Sequence, residues 1–236
     1  MARILSIETA TQLCSVALSQ DDRLIAIRES DEKNAHSRVL TTFIHEIFEE
    51  VSQEISSVDA VAVSMGPGSY TGLRIGVSSA KGLCYALDKP LIGVSTLQAM
   101  ANGMRKLVNL GVSHVKKVLY CPLIDARRME VYTAIFDSEN NLIGQIGAEI
   151  IDENSFSDHL KTSYLVVAGD GSQKCYPLLS KQANAIFFPE FAASSKFMVE
   201  IAHKKFLNQE FENVAYFEPF YLKDFIAGIP RVKGLV

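Results

Sequence analysis

The 236 residues carry one order of strand and helix patterns twice, and no single motif constrains the fold as much. In the first half, Arg3 to Ile7, Cys14 to Leu18 and Leu24 to Arg28 read as three strands joined by turns, followed by a helical stretch from His36 to Val51. Strand Val58 to Val63, a helix from Tyr70 to Ala86, strand Leu91 to Gly93 and a helix from Ser95 to Leu107 come next. In the second half, Lys117 to Ile124, Glu130 to Phe136 and Leu142 to Ile150 are again three strands, with Asp137 to Asn141 as a hairpin turn. Helix Glu153 to Leu160, strand Tyr164 to Ala168, helix Ser172 to Lys181, strand Ala185 to Phe187 and helix Ala192 to Asn208 complete it. Two successive βββαβαβα units predict a duplicated α/β chain with mixed sheets and a cleft between the halves. The expected units are 1–108 and 115–223, joined by a linker at Asn109 to His114 and followed by a possible tail at 224–236.

Such a duplication resembles the actin-like, ribonuclease H-like (ASKHA) arrangement. Its most informative segment is Ser64-Met65-Gly66-Pro67-Gly68-Ser69-Tyr70-Thr71-Gly72-Leu73-Arg74, where an apolar strand meets a breaker cluster and then a helix with Ser69 as its N-cap. Gly72, Gly76 and Ala80 stand four apart, so one helix face is nearly bare and lets another backbone come close. That stripe is expected to be an exposed docking face. On the preceding helix Leu40, Phe43, Ile44, Ile47 and Val51 form an apolar stripe of the kind a core uses. Beside the bare stripe, the pair is read as a contact surface for another chain, with Leu40, Ile44, Ile47, Tyr70, Gly72, Leu73, Gly76 and Ala80 as partner-binding residues. His36 and His45 are nine residues apart and do not share a helix face, so they read as surface or capping histidines.

The net charge of −4 and the scattered basic residues exclude the electropositive stripe needed to hold nucleic acid unaided. No apolar run approaches the roughly 20 residues of a membrane span, and Met1-Ala2-Arg3 runs at once into a strand, so a cytoplasmic protein is expected. Cys14, Cys84, Cys121 and Cys175 are widely spaced within apolar neighbours, which disfavours zinc and assigns them no catalytic role.

Ile7-Glu8-Thr9-Ala10-Thr11, the run Val61 to Val77, Lys81-Gly82-Leu83 and Lys89 to Ser95 together resemble the TsaB (YeaZ) family. The likeness is dense to about residue 100 and returns at Ile124 to Arg127, Glu130-Val131-Tyr132, Ala168 to Ser172 and Tyr221-Leu222-Lys223, where the family more often has arginine than Lys223. The resemblance implies an actin-like subunit of the bacterial machinery that makes threonylcarbamoyladenosine beside the tRNA anticodon. It further implies a direct partner TsaD, an ATPase TsaE in the same complex, tRNA contact only through the complex, and a homodimer when the chain is alone.

The same segment also resembles TsaD, the catalytic paralogue, which holds a metal with an HxxxH pair. Here those positions are Thr96 and Met100, with Gln98 between, and neither side chain replaces imidazole on a hard divalent ion. The chain is therefore expected to be a non-catalytic scaffold with no metal and no cofactor of its own. Actin-like folds bind phosphate on acidic, glycine-bearing turns. Glu8 and Thr9 occupy that place without the glycine, Asp125 is followed by Ala126-Arg127-Arg128, and Gly169 to Ser172 could accept a nucleotide, so Glu8, Thr9, Gly169 and Gly171 form a weak nucleotide site. A nucleotide shared at the TsaD interface stays open. Two alternatives belong to other classes: a glycoprotease-like peptidase, which needs a nucleophile–base pair or a metal-bound water, and an actin-fold small-molecule kinase, supported by fold analogy alone.

Overall fold

The computed structural model describes residues 1–107, 116–188 and 190–223. The expected linker at Asn109 to His114 and the expected tail at 224–236 lie outside these residues. Strands β1 (Arg3–Glu8), β2 (Cys14–Gln20), β3 (Arg23–Ser30), β4 (Ala60–Gly66) and β5 (Leu91–Ser95) form one sheet in the order β3-β2-β1-β4-β5. Strands β6 (Lys117–Asp125), β7 (Glu130–Phe136), β8 (Leu142–Ile150), β9 (Ser163–Ala168) and β10 (Ala185–Phe188) form the other, in the order β10-β9-β6-β7-β8. Written from its first strand, each sheet has the same order and sense: an antiparallel meander of three, then two parallel strands. The duplicated actin-like α/β architecture is thus present.

Helices α1 (His36–Glu50), α2 (Tyr70–Leu87) and α3 (Thr96–Leu107) belong to the first half, and α4 (Ser157–Thr162), α5 (Ser172–Leu179) and α6 (Val199–Leu207) to the second. Strand alternation sends neighbouring residues to opposite faces, so Leu5, Ile7, Val61 and Val63 pack under α1 and α2, while Ile4, Ala60 and Ala62 point the other way. On the second sheet Leu119, Cys121, Leu165 and Val167 lie under α4 and α5, while Tyr120, Val166 and Ala168 face inward. Helices α3 and α6 fill the space between the two inner faces, in one continuous core with Met100, Met104, Phe197 and Met198. The expected cleft is therefore a packed layer between the sheets.

Two helix boundaries differ from the periodicity. The predicted helix from Ala192 is a 3-10 turn, Ser195–Phe197, followed by α6, because the Ser194 hydroxyl accepts from Lys196 N and Ser195 is held across the halves. The predicted helix from Glu153 begins only at Ser157, because Asp152 and Ser155 close a side-chain-bonded turn first. Beyond α6 the chain returns as a strap over the first half. Glu212 N donates to Leu91 O (2.9 Å), Phe217 is buried in the outer core, Phe220 N donates to Met65 O (2.7 Å), and the Tyr221 ring lies 5.0 Å from that of Tyr70.

Candidate functional site

The turn that follows β1 and the turn that follows β4 meet here. Ser69 N donates to Ala10 O (2.7 Å), and the Ser69 side chain accepts from Gly72 N (3.2 Å), which confirms Ser69 as the α2 N-cap. A Cβ on Gly68 would lie 2.4 Å from Ala10 O, and one on Gly72 would lie 2.1 Å from Thr9 O. Helix α2 is thus seated directly on the backbone of the β1–β2 turn. Ser69 N and Gly72 N, at the start of α2, are thus bonded within the chain.

Glu8, at the end of β1, is fully buried. Its Oε1 accepts from Ala10 N (2.6 Å), and its Oε2 has no hydrogen-bond partner among the described residues. Loss of solvent raises its pKa from 4.5 to about 7, against the lowering effect of the Ala10, Ser64 and Thr9 hydrogen bonds. A carboxyl in this state is a poor support for a phosphate-bound cation.

The equivalent turn of the second half is packed as closely on its inner side. Gly169 has φ +110°, matching Gly66 at +109°, and its missing Cβ admits Leu123 O to 2.3 Å of that position. Gly171 N donates to Leu123 O (3.0 Å), and the Ser172 hydroxyl donates to Gly169 O (2.6 Å). The four residues of the predicted nucleotide site lie on two sheets, Glu8 and Thr9 at the end of β1 and Gly169 and Gly171 after β9. Turn geometry and close packing account for both glycines.

Four segments that resemble one family meet at one corner. Asp125 N donates to Asp170 Oδ1 (3.0 Å), Lys174 pairs with Asp125 and donates to Glu130 O (2.7 Å), and Lys223 from the strap pairs with Glu130. On the first-half side of the strap, Tyr221 meets Tyr70, whose ring also carries the Arg74 guanidinium at 4.4 Å. Nothing periodic marks the strap, so sequence pattern alone could not place Lys223 beside Glu130.

The predicted partner-binding residues are mostly interior. Leu40, Ile44 and Ile47 are buried against the first sheet, and Leu73 and Ala80 are buried under α2. Gly76 faces Thr9, whose Oγ1 would lie 2.2 Å from an added Cβ. The bare stripe is therefore a seat for the chain's own β1–β2 turn, and the expectation of an exposed stripe is corrected; Tyr70 alone of the eight is partly exposed. What the two helices leave open is a groove of about 730 Å³ between their outer faces, lined by Thr41, His45, Phe48, Ser79, Gly82 and Leu83. A Cβ at Gly82 would meet nothing within 4 Å. His45 pairs with Glu49 (3.3 Å), and His36 Nε2 lies 2.9 Å from Thr11 O, tying α1 to the same turn that α2 clasps.

Thr96 and Met100 are buried at the start of α3 within the inner core, and the Met100 methyl approaches the vacant side of Gly169. Among the described residues no three His, Cys, Asp or Glu side chains cluster as metal ligands, and no helix is long and apolar enough to cross a membrane. The four cysteines are buried and free. Burial pushes Cys14 and Cys84 up to about 11 and Cys121 to about 12, which keeps them as thiols at neutral pH.

The family model described as TsaD, tRNA N6-adenosine threonylcarbamoyltransferase, matches residues 29–223. The tRNA threonylcarbamoyladenosine biosynthesis protein TsaB of Escherichia coli (strain K12) is 31% identical over 95% of this chain and 96% of its own length. The protein of the same description from Haemophilus influenzae is 28% identical over 94% of this chain and 93% of its own. The solved structure of YeaZ from Pseudomonas aeruginosa superposes with a TM-score of 0.80 at 24% identity, covering 94% of this chain and all of that one. With the family model matching most of the chain and a relative 31% identical along nearly its whole length, the chain belongs to the TsaB/YeaZ family of tRNA threonylcarbamoyladenosine biosynthesis proteins, related to TsaD.

Proposed function

We infer that the chain is a non-catalytic scaffold that binds and activates TsaD, with threonylcarbamoyl transfer to the adenosine beside the tRNA anticodon occurring on TsaD. The observation that carries this reading is the outward groove between α1 and α2. Its floor is apolar, formed by Ile44, Phe48 and Leu83, and Gly82 leaves open space for an approaching backbone. Two helices meeting an equivalent pair would give a four-helix contact, and the same patch used twice would give a two-fold dimer when TsaD is absent. A non-catalytic role is supported by the burial of Thr96 and Met100 in the core, where neither could present a ligand to solvent. The packing of Thr9 against Gly72 and Gly76 disfavours a kinase, and the buried thiols disfavour a cysteine peptidase. In this reading TsaE joins through the complex, tRNA is held by the complex rather than by this chain, any nucleotide is shared with TsaD, and the assembly works in the cytoplasm.

The test is reconstitution with purified TsaD. Gly82→Trp should leave the fold intact, because nothing lies within 4 Å of that Cβ, yet abolish TsaD capture and the transfer activity that depends on it. Normal capture by that variant would move the docking face elsewhere. Transfer by the chain without TsaD would refute the scaffold reading itself.

A further inference from the structure

The duplication provides an internal comparison for a second groove. In the first half, the space between α2 and the edge strand β5 holds the C-terminal strap. Lys81 on α2 donates to Ala215 O (3.2 Å) and Phe217 O (3.0 Å), Glu212 bridges to Leu91 of β5, and the Phe217 ring packs where Gly93 has no side chain. In the second half, the equivalent space between α5 and the edge strand β10 is open. It measures about 760 Å³ and is lined by Gln173 and Tyr176 of α5, Ser180 just after it, Phe187 of β10 and Glu190 beyond. Gly169 and Asp170 close one end. The Tyr176 and Phe187 rings meet edge to face at 4.9 Å, which makes a rigid apolar wall.

The charges of the two grooves are opposite. The first places a lysine on a strap that carries Glu212 and Glu218, whereas the second presents Asp170 and Glu190 and no basic side chain among its lining residues. The carboxylates repel phosphate. The helix offers no substitute, since Gly171 N and Ser172 N are already bound to Leu123 O and Gly169 O. We propose that the α5–β10 groove is a docking site for an extended peptide segment of a partner protein, one that bears an aromatic anchor and basic side chains and lies along β10 as the strap lies along β5. The aromatic anchor would rest on Tyr176 and Phe187, and the basic groups would meet Asp170 and Glu190. This site is separate from the α1–α2 groove and does not rest on the scaffold reading.

The probe is a fluorescein-labelled peptide of residues 212–221 of this chain carrying Glu212→Lys and Glu218→Lys, titrated by polarisation into the full-length protein. The expected result is saturable binding that weakens as salt rises and is at least about tenfold weaker for the unaltered acidic sequence. Ser180→Trp, at an exposed position on the groove wall, should abolish binding with no change in melting temperature. Glu190→Lys should weaken the basic peptide and strengthen the acidic one. Gly82→Trp should leave binding unchanged, which separates this site from the TsaD face. Absence of saturation at millimolar basic peptide, equal binding to Ser180→Trp, or displacement of the peptide by adenosine would overturn the proposal.

Discussion

Glu8 is a fully buried carboxyl at the end of β1, and its environment favours the neutral form. Its folded pKa of about 7 lies above the ordinary 4.5, so the folded state retains a proton that the unfolded chain releases. Stability is therefore highest below the unfolded pKa and falls as pH rises through about 7, by on the order of 3 kcal/mol. Glu8→Gln keeps an acceptor for Ala10 N and removes the titration. Its urea midpoint should stay flat across this window and exceed that of the wild type above neutrality; a parallel fall in both proteins would locate the charge elsewhere. Gly76 makes an opposite point about exposure. An alanine there meets the Thr9 hydroxyl and should cost roughly 1–3 kcal/mol of monomer stability by overpacking, whereas Gly82→Ala, in open space, should gain by about 0.8–1 kcal/mol from helix propensity. Thermal melts of the two variants side by side check both signs. The spacing of Gly72, Gly76 and Ala80 showed that something approaches this face closely. It could not show that the visitor is the chain's own turn, because a bare stripe has the same period whichever backbone lies against it.

At the scale of elements, the order of strands and helices was legible throughout, since alternation and helical period each repeat in both halves. What escaped was everything without a period. The strap from 209 to 223 is irregular, yet it covers the β5 edge, buries Phe217 and brings Lys223 to Glu130. The family-like tripeptide at Tyr221 to Lys223 was its only mark in the sequence, and pairing across more than ninety positions leaves no local signature. Edge strands with unpaired amides attract foreign strands, so the strap also protects the sheet. Phe217→Ala should release it. The expected cost is about 3–5 kcal/mol, and limited proteolysis should cut between α6 and Lys223 in the variant before any other site. Resistance equal to the wild type would mean that the Lys81 and Met65 hydrogen bonds hold the strap without its anchor.

The two halves repeat one plan and share one packed layer between their sheets. Helix α3 starts at the edge of the first sheet and packs on β6 and β7 of the second, while α6 belongs to the second half and packs on β1 and β5 of the first. Phe197 lies at the crossing. Its ring sits against the vacant side of Gly103, 2.6 Å from where a Cβ would be, and its carbonyl accepts from Asn102 Nδ2 (2.9 Å). Nearby, Ser15 and Ser195 share a buried hydroxyl contact at 2.6 Å, and Ser195 N donates to Ser15 Oγ at 3.0 Å. Separating the halves would expose the inner faces of both sheets together, and a half that lost its neighbour would lose one of its two cores. Unfolding should therefore be a single cooperative transition, with secondary-structure and tertiary signals coincident. Phe197→Ala, which opens a cavity in the shared layer, should lower the whole transition by about 3–5 kcal/mol without splitting it. If the halves were separately stable, the same substitution would uncouple them and give two steps in a denaturant melt, with the amides of β6 and β9 exchanging at a different free energy from those of β1 and β4. Hydrogen exchange that reports one common opening energy for both sets of strands, lowered equally by Phe197→Ala, is the expected outcome.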